Sequence, residues 1–482
     1  MLKISVVFST ILFSVLLTAD IFKVKIGHND DELKDIAGRM DVLGAGVDEN
    51  GDVILIINAK ETEISEFPVF TEIEQIPGDI EIDPEYYDLD EINRRIDNLG
   101  KQNSGYAEVF VIGSSIEGRE IKAVRITRTG DSTEDLPEIL LVGTHHAREW
   151  ISYEVPLSIA EFLMENADSN SSVADILDKS VVWVVPMLNP DGFVFSWESE
   201  RYWRNNRRVN PDSTIGVDLN RNYDSSWIKV EYDHGTGPFS EPETVAIKQL
   251  IENSFPEPFE NGITSLDGLI TYHSFGQMIM YPPGSTTEPA EKSEYYKELA
   301  INMSNLTFSE CGSIYLAMQA SDLYFTFGEM TEWFMNTHDG NPAFTIELRP
   351  HSGGVNDFVL PAQYIKDTVK ENISPAMYLI EHIITGETVI NMDKNGNGKS
   401  DVTENTLYDY KCDRSDLEVP DYGDFSNDSD ADVPDDGADD IDAGDDDFPV
   451  FDDEPEIDEK NDTDTGVSSI KKSGCSITIL GD

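Results

Sequence analysis

Apolar and polar positions fall into blocks with two distinct periods along this chain. "DIFKVKI" alternates with period two and predicts a strand. "DDELKDIAGRM" carries its apolar residues at helical spacing, and "GDVILIINA" is a second strand after a glycine turn. Residues 20–75 therefore predict a small α/β unit. The polar stretch "EQIPGDIEIDPE", with two prolines, predicts a linker, placed at residues 76–85. From Tyr86 strands and helices alternate. "EVFVIG", "EIKAVRI", "EILLVGTHH", "SVVWVVPMLNP", "GLITYHS" and "AFTIELRP" are strand-like. "WISYEVPLSIAEFLMENA", "EPETVAIKQLIENS", "EYYKELAINMSN" and the closing "PAQYIKDTVKENISPAMYLIEHII" are helical. Continuous apolar strands between helices imply an α/β domain, residues 86–388, with a single mixed sheet flanked by helices.

The ends have a different character. Lys3 followed by the apolar run Ile4–Leu17 and the small Ala19 predicts a signal peptide over residues 1–19. The run is shorter than the roughly 20 apolar residues that span a bilayer, so no membrane span is expected after cleavage. The product is expected outside the cell. The final "KKSGCSITILGD" regains an apolar run and leaves attachment to the cell surface through Cys475 as an alternative. Residues 411–482 are acidic and poor in apolar side chains, a composition that cannot bury enough surface to fold alone.

Charge changes the picture of partners. The chain has 94 acidic and 34 basic residues, a formal net charge of −60, which excludes nucleic acid as a partner because phosphate is repelled. A monomer is expected. Three cysteines, Cys311, Cys412 and Cys475, leave at least one unpaired. Cys311 and Cys412 are candidates for a bridge that the sequence alone does not establish. None lies beside a histidine in a nucleophile-like setting.

The chemistry gathers at strand ends. "GTHHAREW" places His146 and Glu149 three positions apart after the strand "EILLV", and His273 ends the strand "LITYHS". Two histidines and one glutamate form the tridentate set that keeps a position open in catalytic zinc sites. One zinc ion per chain is expected. His145 is expected to point away from that set, because neighbours on a strand face opposite ways.

These motifs, with "GSSIEGREI", "LNPDGF", "WRNNRR", "GVDLNRNYD" and "HSFGQMIMYP", occur in an order that resembles the zinc carboxypeptidases of the A, B and T type. The resemblance covers about Tyr86 to Thr388, and the unit before it resembles that family's propeptide in a shorter form. It implies a metallocarboxypeptidase acting on peptide or protein C-termini. Glu347 in "FTIELRP" is the implied general base that activates water, and Arg204 in "YWRNNRR" polarises the scissile carbonyl. Asn220, Arg221 and Arg148 clamp the terminal carboxylate, and Tyr324, nine residues before Trp333, closes over substrate. Phe275 stands where many relatives carry a second tyrosine. Arg207 and Arg208 are expected to be surface charges. Thr331 and Glu329 in "YFTFGEMTEW" resemble the bacterial carboxypeptidase T branch, which implies mixed specificity for apolar and basic terminal residues. Glu332 is a weaker pocket candidate.

Past the domain, "DKNGNGKSDVTE" fits a calcium-loop pattern in residues 389–410, with oxygen donors at Asp393, Asn395, Asn397, Asp401 and Glu404. Ser400 occupies the position that is usually apolar, and an ordinary polar turn is the alternative. Two other functional readings stay open at this level. Related folds cleave peptidoglycan stem peptides, and a non-catalytic, calcium-dependent binder would use the same frame.

Overall fold

The computed structural model describes most of residues 86–388, four strands and a few other positions between residues 20 and 76, and Val402, Thr403, Thr406, Leu407, Lys411 and Cys412. The predicted signal peptide, the expected helix "DDELKDIAGRM" and the acidic tail lie outside the described residues.

The two predicted N-terminal strands form. β1 (Asp20–Ile26) and β3 (Val53–Ala59) pair antiparallel, with Phe22 opposite Ile57 and Val24 opposite Leu55. These four side chains are buried on one face, as period-two alternation requires. Two further strands were not anticipated. β2 (Asp41–Val47) holds two glycines that hide its alternation, and β4 (Glu72–Ile76) covers the first residues of the stretch expected to be linker. The sheet order is β2-β3-β1-β4.

Beyond Tyr86 the chain builds one eight-stranded mixed sheet, ordered β11-β10-β12-β9-β7-β8-β6-β5. Its members are β5 (Ala107–Ser114), β6 (Glu120–Ile126), β7 (Glu138–Val142), β8 (Val181–Val185), β9 (Leu266–Ser274), β10 (Met278–Tyr281), β11 (Leu316–Gln319) and β12 (Ala343–Leu348). β12, β9, β7 and β8 run parallel at the centre. Every residue of β7 and β8 is buried, which is why "EILLV" and "VVWVV" show no polar alternation. Helices cover both faces. Ile139 and Leu141 join one core with the helices Ile151–Asn166 and Ile365–Thr385, whereas Leu140 and Val142 join a second core with Pro242–Ile251 and Met330–Thr337.

From β7 the chain passes to β8 on one side, then returns to β9 on the other. The carboxyl end of β7 is thus a topological switch point, the place where open α/β sheets leave a crevice. Period-two alternation sends Thr271 and His273 of β9, and Thr345 and Glu347 of β12, toward the face opposite the core-filling Ile270, Tyr272, Phe344 and Ile346.

A buried ion pair ties β12 to the closing helix. Arg349 Nε and Nη2 donate to Glu371 Oε1 and Oε2 at 2.8 and 2.5 Å, and Tyr315 OH donates to Glu371 Oε1 at 2.7 Å. The chain past residue 388 also returns to this body. Val402 is buried in the first core, and its carbonyl accepts from Asn170 Nδ2 at 2.9 Å. Cys311, at the end of the helix Ser293–Cys311, is bonded to Cys412 across 101 residues. Such a crosslink removes conformational entropy from the unfolded chain. Cys412→Ser is expected to lower the unfolding free energy by about 2–5 kcal/mol in urea titrations. An unchanged midpoint would show that the bridge contributes no stability.

Candidate metal centre and active site

β7 stops at Val142, four residues before the first histidine of the predicted set. A side chain on Gly143 would collide with the carbonyl oxygens of Ser152 and Pro186, and Thr144 adopts a positive φ of 58°. This tight exit turns His145 and His146 apart. The expectation that they diverge holds, but the cause is the turn and not strand pleating. Glu149 lies just ahead of the helix Ile151–Asn166, and its Oε2 accepts from Ser274 N at 3.2 Å.

Three donor atoms converge. His146 Nδ1 is 2.7 Å from Glu149 Oε1, His273 Nδ1 is 3.1 Å from Glu149 Oε2, and the two Nδ1 atoms are 3.1 Å apart. His146, Glu149 and His273 are all buried. Two imidazole nitrogens facing each other across this gap suit a shared cation better than a hydrogen bond. Tetrahedral zinc with nitrogen bonds of about 2.0–2.1 Å sets such nitrogens about 3.3 Å apart. The donor set therefore fits zinc. Burial raises the pKa of Glu149, but His146 and His273 outweigh it and hold the carboxylate well below its usual range.

Behind these atoms stands a residue that sequence reading passed over. Asp218, the cap of a short turn at Leu219–Arg221, accepts from His146 Nε2 at 3.1 Å through Oδ1. Its Oδ1 also accepts from Asn220 N at 2.9 Å, and its Oδ2 takes Arg204 Nε at 2.9 Å and Nη2 at 2.7 Å. A carboxylate on the outer nitrogen of a metal-binding histidine fixes that ring's tautomer. The available signal was an Asp two positions before Asn220 in "DLNRNYD", an N-cap pattern at a site already under suspicion.

Arg204 is held beside the donors, its Nη1 3.8 Å from Glu149 Oε1. Glu347 pairs in register with His273 across β12 and β9. Its Oε2 is buried and has no hydrogen-bond partner among the described residues. Burial raises the Glu347 pKa well above the usual carboxylate range. Glu149 adds to this, while Arg204, Arg221 and Arg148 oppose it.

On the substrate side, Arg221 Nη1 donates to Asn220 O at 2.8 Å, and its Nη2 lies 3.5 Å from Tyr324 OH. Asn220 Oδ1 accepts from Met330 N at 3.1 Å, which fixes the amide against the helix Met330–Thr337. Tyr324 is half-exposed at the rim. Arg148 is buried, stacked 4.0 Å over Phe358, and its carbonyl accepts from Arg201 Nη1 at 2.6 Å. Phe275 packs edge-on against Phe358 at 4.9 Å.

The candidate specificity residues separate clearly. Glu329 is buried, and its carboxylate accepts from Thr326 Oγ1 at 2.9 Å and Thr331 Oγ1 at 3.4 Å. It is not one more surface acid. Burial raises its pKa and Arg221 opposes that rise. Glu332, by contrast, is consumed by Gly284 N and Ser285 N, each at 2.9 Å, and by the hydroxyls of Ser285 and Ser226. It anchors a loop. Arg208 is only half-exposed and pairs with buried Glu241 at 2.9 Å, so it is not the free surface charge expected, while Arg207 stacks 3.6 Å over Phe195. The candidate calcium donors Asp393, Asn395, Asn397, Asp401 and Glu404 lie outside the described residues.

Comparison with known proteins agrees with this geometry. The family model described as zinc carboxypeptidase matches residues 92–374. Bovine carboxypeptidase O is 28% identical over 309 residues, covering 62% of this chain and 79% of the relative. Carboxypeptidase A5 of Macaca fascicularis is 31% identical over 309 residues, covering 62% of this chain and 67% of its own length. The crystal structure of carboxypeptidase A from Helicoverpa armigera superposes with a TM-score of 0.63 at 19% identity, covering 77% of this chain and 98% of that one, a likeness of fold. With the matched region spanning more than half of its length, the chain belongs to the zinc carboxypeptidase family, whose members hydrolyse peptides at their C-termini.

Proposed function

We propose that the chain removes single C-terminal residues with Glu347 as general base, Arg204 as the group that polarises the scissile carbonyl, and Asn220, Arg221 and Arg148 as the carboxylate clamp. The observation that carries this reading is the buried Oε2 of Glu347, which has no hydrogen-bond partner among the described residues and sits in register with His273. His146, Glu149 and His273 would hold a zinc ion, which would supply a Lewis acid and an acidified water there. Glu347 takes the proton of the attacking water and passes it to the departing amine. Arg204, braced by Asp218, donates to the carbonyl oxygen as negative charge builds there. The Arg221 fork receives the substrate carboxylate bidentately, and Tyr324 closes from the rim.

Glu329 and Thr331 form the wall that meets the terminal side chain, which supports acceptance of both basic and apolar residues, as in the carboxypeptidase T branch. A buried carboxylate with two threonine hydroxyls meets an ammonium or guanidinium head directly. The rest of the chain is consistent with an exported zymogen. A removable unit at residues 20–75 precedes the catalytic domain, and the pattern at residues 389–410 supports a calcium loop. No helix among the described residues is long and apolar enough to cross a membrane.

The test compares free-acid and C-terminally amidated peptides. Amidation is expected to cut kcat/KM sharply, since Arg221 then lacks its charged partner. Glu347→Gln is expected to retain zinc and lose several orders of magnitude in kcat on the free acid. Equal rates on acid and amide, or a loss of tenfold or less in the variant, would overturn the assignment. Specificity is read separately. Glu329→Gln is expected to lower kcat/KM for Lys relative to Leu by about 1–3 kcal/mol. An unchanged Lys-to-Leu ratio would remove Glu329 from the pocket.

A further inference from the structure

The face of β9 that carries His273 also carries Thr271, two residues earlier. Thr271 Oγ1 lies 3.2 Å from His273 Nε2 and 3.2 Å from His145 Nδ1. His145 Nε2 in turn lies 2.8 Å from Tyr223 OH. The His145 ring stacks on His273 with centroids 5.3 Å apart and planes 21° from parallel. His145, Thr271 and Tyr223 are fully buried. His145 is not among the converging donors. It stands behind them, in a line of polar atoms that neither the zinc ligands nor the peptide-binding groups explain.

We infer that Tyr223, His145 and Thr271 form a hydrogen-bonded line coupled to the tautomer of His273, which gives its Nε2–H an acceptor in the metal-binding form and so helps to retain the zinc. The inference rests on the zinc assignment but adds residues and a role to it. His273 Nδ1 faces Glu149 and His146, so the metal-competent ring carries its proton on Nε2. That N–H donates to Thr271 Oγ1. A hydroxyl has one hydrogen, and Thr271 directs it to His145 Nδ1. His145 then bears its proton on Nε2 and donates to the Tyr223 oxygen. From His273 to His145 each donor in this line has an acceptor, and Tyr223 keeps its own hydroxyl hydrogen.

The opposite polarity is self-consistent too. Tyr223 donates to His145 Nε2, His145 Nδ1–H donates to Thr271, and Thr271 donates to His273 Nε2. That arrangement places the proton of His273 on Nδ1, where it blocks the metal. The four groups therefore switch together, and metal binding sets the polarity of the whole line. Outer partners of this kind typically change metal affinity by about 10- to 100-fold. Asp218 performs the corresponding task for His146, so each zinc-binding ring has its own outer anchor.

The experiment measures zinc affinity of the full chain by competition with a chromophoric chelator, alongside the unfolding temperature of each metal-free form. Thr271→Val keeps the shape of the residue and removes the relay. It is expected to raise the zinc dissociation constant by about 10- to 100-fold. Thr271→Ser keeps the hydroxyl and is expected to stay within about threefold of the native chain, against that same scale. Tyr223→Phe removes only the last oxygen, and is expected to weaken zinc in the same direction but less. It serves as the reading if Thr271→Val does not fold. Native-like zinc affinity in both Thr271→Val and Tyr223→Phe would overturn the inference, as would equal losses in Thr271→Val and Thr271→Ser. A metal-free form that melts lower while its zinc affinity is unchanged would make the line purely structural and also overturn it. Failure of the native chain to bind zinc would instead overturn the zinc assignment, so the two failures are distinguishable.

Discussion

One buried carboxylate organises the centre of this molecule. Asp218 accepts from the outer nitrogen of His146, from two nitrogens of Arg204 and from the backbone of Asn220. A metal-binding ring, an arginine beside it and the turn that presents Asn220 and Arg221 are thus referenced to the same two oxygens. Burial alone would push this group toward neutrality. The nearby Arg204 guanidinium and His146 overcome that penalty and keep it ionised. Replacing it would remove the carboxylate that Arg204 and the outer nitrogen of His146 share, so its effects on metal and on Arg204 are not separable by a single substitution.

The sheet supplies the rigidity on which that carboxylate acts. His273 and Glu347 sit opposite each other on two parallel strands whose other faces are packed with Ile270, Tyr272, Phe344 and Ile346. Neither strand can slide by one residue without turning its polar set into the core. The Arg349–Glu371 pair fixes the end of β12 two residues beyond Glu347. It is fully desolvated and met by Ser313 and Tyr315, so it holds one geometry.

Much of this was legible in the chain. Strands such as "EIKAVRI" and "EILLV" declared themselves by β-branched, apolar runs, and the zinc donors by their place at strand ends. What stayed hidden depends on distance in space. Asp218 lies 72 residues from His146, and nothing local marks it as the partner of that ring. Tyr223 and Thr271 look like ordinary core and strand residues until His145 is placed between them. Glu329 and Glu332 are near neighbours of the same type, yet one is buried against two threonine hydroxyls and the other staples a loop. Only the positions of Thr326 and Ser285 tell them apart. β2 was missed for a different reason, since glycine contributes no side chain to an alternation.

The return of the chain after residue 388 bears on how shortened versions of this protein behave. The family model's match ends at residue 374, inside the closing helix, and a boundary drawn there or at residue 388 looks safe on paper. Such a version would cut away Val402, expose the apolar surface it covers, deprive Asn170 of an acceptor and leave Cys311 as a buried thiol without its partner. A recombinant catalytic domain with its native packing therefore has to run through Cys412, well beyond the last residue that the family model matches.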